Sequence, residues 1–399
     1  MMENFDDIRP YEAGEMKQAF EDLLHDRQFQ LVLKGFAPWL PKTIRNGLLR
    51  LAFTGVKTPL DFQKRFMKPV VKLIMRRHTD GCKFEDDALK HNAGENRFAS
   101  SSPRYTFVSN HRDIVLDSAI LDVMLVENGY PTTVEIGIGD NLLIYPWIKR
   151  LVRMNKAFTV RRGLSLRETL LASQHMSRYI HYAVNKKREN IWIAQREGRA
   201  KDSDDRTQEA VLKMLSMGGD LRELNIVPLT ISYEYDPCDY LKAQEFQQKR
   251  DNPQFRKSRQ DDLDNMRTGI FGYKGHVVYH AAAPINLWLD DLKDMPQKEF
   301  FAAVAQRMDH DIHRGYTLFP CNYIAADLLA SLHGGATAGA PAFANCYTAR
   351  DVERFEAYLA RQLAKVSLPN PDMEFLRERM LTMYANPLRN YFAAHEKTV

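Results

Sequence analysis

A candidate base, a carboxylate to orient it and several cations able to hold an anion occur in order along this chain, each beside a short apolar run. The first group is Ser109-Asn110-His111-Arg112-Asp113-Ile114-Val115-Leu116-Asp117. Acyl transfer to a hydroxyl needs a base that takes the proton as the oxygen attacks, and a histidine titrates in the right range. It also needs a carboxylate to hold the imidazole in one tautomer. The second group is Lys156-Ala157-Phe158-Thr159-Val160-Arg161-Arg162-Gly163. Two arginines beside a glycine and a helix start form an anion clamp, because guanidinium forks match phosphate oxygens and a helix N-terminus adds amide donors. The third is Gln195-Arg196-Glu197-Gly198-Arg199-Ala200-Lys201-Asp202, and the fourth is the apolar run Ile226–Tyr233 closed by Glu234. Each has a plainer reading: a strand-end histidine with an N-capping aspartate, or charged strand ends facing solvent.

The elements that must position these groups alternate. The segment from Tyr105 to Ser109 reads as a buried strand, then Leu116 to Val126 as helix, Thr132 to Ile138 as strand and Leu142 to Val152 as helix. Phe158 to Val160, Ile191 to Ala194, Ile226 to Tyr233 and His276 to Ala283 read as further strands. Leu164 to Asn190 and Thr207 to Met217 read as helices between them. This alternation predicts an α/β fold: a mixed, largely parallel sheet covered by helices, with helical N- and C-terminal regions. The predicted boundaries are a helical N-terminal region over 1–95, the α/β domain over 96–290 and a helical C-terminal region over 291–399. Residues 241–275, polar and without clear periodicity, read as an excursion from the α/β unit. Leu332 to Asn345 reads as a small-residue loop.

Charge is uneven along the 399 residues. Between Lys42 and Arg77 stand ten basic residues and one acid, a local +9, which leaves −4 for the rest of a chain whose total is +5. Leucine, phenylalanine and valine interleave with them, a pattern that predicts basic amphipathic helices for an anionic membrane surface. The aromatic residues do not interleave with the cations as a nucleic-acid platform requires, so no nucleic-acid partner is expected. No apolar stretch reaches 18 residues, which predicts no membrane-spanning helix. The acidic, polar N-terminus does not read as a secretory signal. Cys82, Cys238, Cys321 and Cys346 show no paired spacing, so neither a disulfide framework nor a structural metal site is expected. In Asp309-His310-Asp311-Ile312-His313 only His310 and His313 share a helical face, and a surface helix is the better reading.

Taken together, the four groups resemble the glycerolipid acyltransferase superfamily, and most closely its glycerol-3-phosphate and 1-acylglycerol-3-phosphate acyltransferase branch. That family carries an Asn-His-x4-Asp block, then Phe-x-x-Arg, Glu-Gly-Thr-Arg and Val-Pro, and the likeness here spans roughly residues 104–285. The resemblance implies His111 as catalytic base and the acid of its block as partner. It implies Arg161 and Arg162 at the acceptor's phosphate, with Glu197 and Gly198 in the acceptor site. Two positions depart from the pattern. The family's acid stands five residues after the histidine, where this chain has Leu116, and Asp117 stands six after. At about 100° per residue, a regular helix would point His111 and Asp117 apart. Asp117 can therefore serve only if His111 lies in a turn before the helix, and Asp113 is the rival. Secondly, Arg199 occupies the family's threonine position and Ala200 its arginine position, with Lys201 next to them.

The expectation is an O-acyltransferase. It takes a fatty acyl group from acyl-CoA or acyl-carrier protein to a phosphorylated glycerol or lysophospholipid, with no cofactor and no metal. Arg161, Arg162 and Arg199 would hold the anionic group. It would work in the cytoplasm, peripheral on the cytosolic face of a membrane. The alternatives are an acyltransferase for a non-glycerol lipid acceptor, such as an amino-acid lipid, and a catalytically inactive membrane-binding scaffold.

Overall fold

In the computed structural model, residues 3–93, 102–334 and 341–396 are described. Seven strands form one sheet: β1 (Gly81–Glu85), β2 (Thr106–Ser109), β3 (Val134–Gly139), β4 (Ala157–Val160), β5 (Asn190–Ala194), β6 (Ile226–Tyr233) and β7 (His276–Ala281). Their order is β1-β7-β6-β2-β5-β3-β4. The five strands from β6 to β4 run parallel. β7 is antiparallel to β6, and β1 is parallel to β7. The predicted α/β class and mixed sheet are therefore present. The central strands β2 and β6 are buried along their whole length because helices cover both faces, the usual state of parallel sheets.

One face packs Phe107, Val227 and Tyr279 against the helix Leu116–Glu127 and the helix Lys68–His78. The other packs Val108, Ile191 and Ile226 against the helices Leu166–Tyr182, Glu209–Ser216 and Gln297–Arg314. The last of these is the helix that bears Asp309 and His313. Its Val304, Met308 and Ile312 are buried, so it is a layer of the α/β unit and not a surface helix. Two further clusters gather the N-terminal helices around Phe20, Phe53 and Phe62, and the C-terminal helices around Leu359, Met380 and Tyr384.

One further expectation needs correction. Residues 1–95 are not uniformly helical, because Gly81–Glu85 joins the sheet beside β7. Residues 241–275 do leave the sheet between β6 and β7, as read, and they do so as helix. They hold most of the helix Asp239–Asp251 and the helix Arg259–Phe271, the second opened by a capping box between Ser258 and Asp261. The predicted loop from Leu332 to Asn345 lies partly outside the described residues.

Candidate active site

All four groups stand at carboxyl ends of the parallel strands, the edge at which open α/β sheets form their ligand crevices. β2 ends at Ser109, and residues 110–115 make a turn before the helix Leu116–Glu127 begins. Asn110 fixes that turn to the neighbouring strand. Its Nδ2 donates to the Ile231 carbonyl at 2.9 Å, and its Oδ1 accepts the Ile231 N–H at 2.7 Å. His111 therefore lies outside the helix, and the extra residue of its block is absorbed in the turn.

The consequence is a His–Asp pair. His111 Nδ1 lies 2.8 Å from Asp117 Oδ2. The same oxygen accepts the N–H groups of Arg112 at 2.6 Å and Asp113 at 3.1 Å. Asp117 Oδ1 accepts the Tyr233 hydroxyl at 3.0 Å. These donors offset the cost of burying the carboxylate completely. Asp113 is turned elsewhere. Its Oδ1 accepts the N–H groups of Val115 and Leu116, both at 2.8 Å, and so caps the helix start. Burial, then the neighbouring Asp117, pushes the Asp113 carboxyl above the ordinary range.

His111 opens onto a groove of about 960 Å³ that also reaches Arg161, Arg162, Glu197, Gly198, Arg199 and Lys201. One wall is apolar, with Ile136, Ile138, Val160, Leu171, Met176 and Val211. Trp192 presents its ring to His111 at 5.5 Å in an edge-on arrangement, and its indole N–H donates to Ser109 Oγ at 3.0 Å. The structure thus gathers every sequence-predicted site residue around one cavity except Asp117, which lies buried behind His111.

The cations are not equally free. Arg161 donates to Asp7 Oδ2 at 2.6 Å, and Arg162 pairs with Glu197. Arg199 is buried, with one guanidinium nitrogen 2.9 Å from Asn265 Oδ1 and the other, Nη1, without a protein partner. Burial, only partly offset by Glu245, lowers the Lys201 ammonium to about 7. Gly198 sits at a φ of +69°, a conformation that a side chain would strain, and this lets the chain reverse between Glu197 and Arg199.

No protein-family model and no curated protein matches this chain. Among solved structures, it is similar to the 1-acyl-sn-glycerophosphate (LPA) acyltransferase PlsC from Thermotoga maritima. The TM-score is 0.38 and the identity 12%, over 73% of this chain and 95% of that one. At that distance the likeness carries no inference about activity.

Several residues at the site gave no local signal in the sequence. Arg112 and Asp205 form a fully buried pair at 3.1 Å, which ties the histidine turn to the loop after β5. The N-terminal segment delivers Asp7 and Ile8 to the groove, and the Ile8 carbonyl accepts the Thr159 N–H on edge strand β4 at 2.9 Å. Among the described residues, Asp80, Glu234 and His276 are the acids and histidine close enough together to hold a metal ion. Arg354 already reaches Glu234 at 3.2 Å and Asp80 at 3.5 Å, so a cation stands where an ion would. At the Asp309–His313 segment, Asp309 accepts from Thr207 and the His313 ring lies 3.0 Å from the Asp205 carbonyl.

Proposed function

We propose that this protein is an O-acyltransferase that moves a fatty acyl group from the thioester of acyl-CoA or acyl-carrier protein onto the hydroxyl of a phosphorylated glycerol or lysophospholipid. The observation that carries the reading is the His111–Asp117 pair, oriented at 2.8 Å and opening on a groove with an apolar wall and a cationic rim. With Nδ1 held by Asp117, Nε2 is the nitrogen left to take the acceptor's proton. The acceptor oxygen attacks the thioester carbonyl as its proton passes to Nε2. Collapse of the tetrahedral intermediate breaks the C–S bond, and the imidazolium returns the proton to the departing sulfur. The products are an ester and a free thiol. The apolar wall suits an acyl chain, and Arg199, with an unsatisfied buried N–H, suits a phosphate oxygen.

One observation favours a second acceptor class. Arg161 and Arg162 are engaged by Asp7 and Glu197, so a non-glycerol acceptor, such as an amino-acid lipid, has fewer competing carboxylates to displace if it does not use them.

The protein would meet its lipids at an anionic membrane surface. From Arg27 to Leu60 the chain carries six cations and no carboxylate. The helices Arg27–Phe36 and Lys42–Phe53, with the turn between them, leave Leu31 68%, Trp39 76% and Leu51 71% exposed. Exposed apolar side chains beside the exposed Lys34 and Lys42 fit an interfacial helix pair. Among the described residues no helix is long and apolar enough to cross a membrane. The test of the activity is free-thiol release from acyl-CoA and acyl-carrier protein against a panel of phosphorylated and unphosphorylated acceptors. Acceptor-dependent release supports the reading, and its absence with every pairing contradicts it.

A further inference from the structure

We infer that Tyr233 is a positioning residue for the His111–Asp117 pair: its hydroxyl engages the second carboxylate oxygen of Asp117 and so sets how strongly Asp117 holds the His111 ring. The inference rests on the reading of His111 as base, but its test needs no acyl transfer.

Asp117 Oδ2 is committed to the His111 ring and to two backbone amides. Oδ1 takes the Tyr233 hydroxyl at 3.0 Å. Tyr233 is the last residue of β6, and its ring is buried, so this bond forms away from water, where a hydrogen bond to a carboxylate is strong. A second tyrosine, whose hydroxyl also neighbours that of Tyr233, supplies a comparison. Tyr279 on β7 is buried as well, and β6 and β7 are paired so that Val277 stands opposite Tyr233. Tyr279 is thus its diagonal neighbour on the same face. Its hydroxyl donates to the Asp117 backbone carbonyl at 2.8 Å, not to the carboxylate. Two buried phenols therefore anchor the same residue, and only one of them touches the group that holds His111.

Withdrawing the Tyr233 donor leaves more negative charge on Asp117 for the imidazolium, which favours the protonated ring. The other charged groups around the pair are Asp113 on the same turn, Lys274 facing Asp113, the buried Arg112–Asp205 pair and Asp236 after β6. None of these is altered by changing either tyrosine.

The experiment is a histidine ring titration by NMR on the full-length protein, with the His111 signal assigned by its loss in His111→Gln. Tyr233→Phe is expected to raise the midpoint of the His111 signal by about half a pH unit or more. Site-specific 3-fluorotyrosine at 233, a stronger donor, is expected to lower it. Tyr279→Phe, which touches the carboxylate only through Tyr233, is expected to move it clearly less than Tyr233→Phe while lowering thermal stability. A midpoint unmoved by both changes at 233, or moved equally by Tyr279→Phe, overturns the inference. Because the titration is read without donor or acceptor, an absence of acyl transfer would count against the proposed activity alone. Where transfer is measured, the acid limb of kcat/KM should move with the ring in Tyr233→Phe.

Discussion

His111 and Asp117 can meet only because the residue that lengthens their spacing is taken up before the helix begins. The turn at 110–115 is pinned by Asn110 to Ile231, and Asp113 closes it by capping the helix start. Different outcomes follow for the two aspartates. Asp117→Asn should lower acyl transfer nearly as far as His111→Ala, because the amide cannot hold the same tautomer. Asp113→Asn keeps an oxygen for Val115 and Leu116 and removes a buried charge. It should cost about 1 kcal/mol or less by chemical denaturation and leave turnover close to wild type. A large loss of turnover in Asp113→Asn with little loss in Asp117→Asn would reverse the assignment. The sequence carried the histidine, both candidate acids and the geometric condition for choosing between them. It did not carry Tyr233, Arg112–Asp205 or Asp7, whose partners stand between 93 and 154 residues away and which match no local pattern.

Elements were legible where their burial matches a simple period. β2 and β6 are buried throughout, β5 at all but its last residue, and they read as apolar runs. β1 was missed because it is an edge strand of five residues with one buried side chain, Phe84, and charged neighbours. The helix Asp239–Asp251 was missed for a different reason. Its buried face is polar: Asp239, Lys242 and Gln247 pair with Tyr384, Asp236 and the Asn370 carbonyl. No hydrophobic stripe marks it. The helix Arg259–Phe271 could have been found from its Ser258-x-x-Asp261 capping box. The basic block also changes character in three dimensions. Lys68 and Lys72 pair with Glu127, and Arg50 with Glu21, whereas Lys34 and Lys42 lie exposed beside Leu31, Trp39 and Ile44. Reversing Lys34 and Lys42 to Glu should therefore weaken binding to anionic vesicles more than tenfold, at about 1 kcal/mol per cation lost and as much again for the repulsion introduced. Binding to neutral vesicles should change little. Trp39→Ser with Leu51→Ser should weaken both. Co-sedimentation unchanged in all four substitutions would show that this helix pair is not the docking face.

At the scale of the whole molecule, the histidine turn, the loop after β5 and the helix Gln297–Arg314 meet through buried polar groups. Arg112 pairs with Asp205, and His313 reaches the Asp205 carbonyl at 3.0 Å. Burial lowers His313 from 6.5 to about 4, so between those values the unfolded chain binds a proton that the folded chain refuses. His313 therefore takes stability away as pH falls from about 6.5 towards 4, by up to about 3 kcal/mol. Asp122 and Asp239, raised by burial to about 7, act in the opposite sense and withdraw stability as pH rises from about 4 to 7. The contribution of His313 is isolated by difference. Urea unfolding of wild type and His313→Gln should diverge with pH between 4 and 6.5, the variant losing less stability on acidification, and parallel curves would contradict the sign. The central claim remains the chemistry at His111, and its most direct measurement is lipid mass spectrometry after incubating wild type and His111→Ala with a labelled acyl thioester and mixed acceptors. The account predicts a labelled ester from wild type and at least a 10²-fold loss of it in His111→Ala, which retains its fold. Equal product from both proteins, or no labelled ester from wild type with either thioester donor, would contradict it.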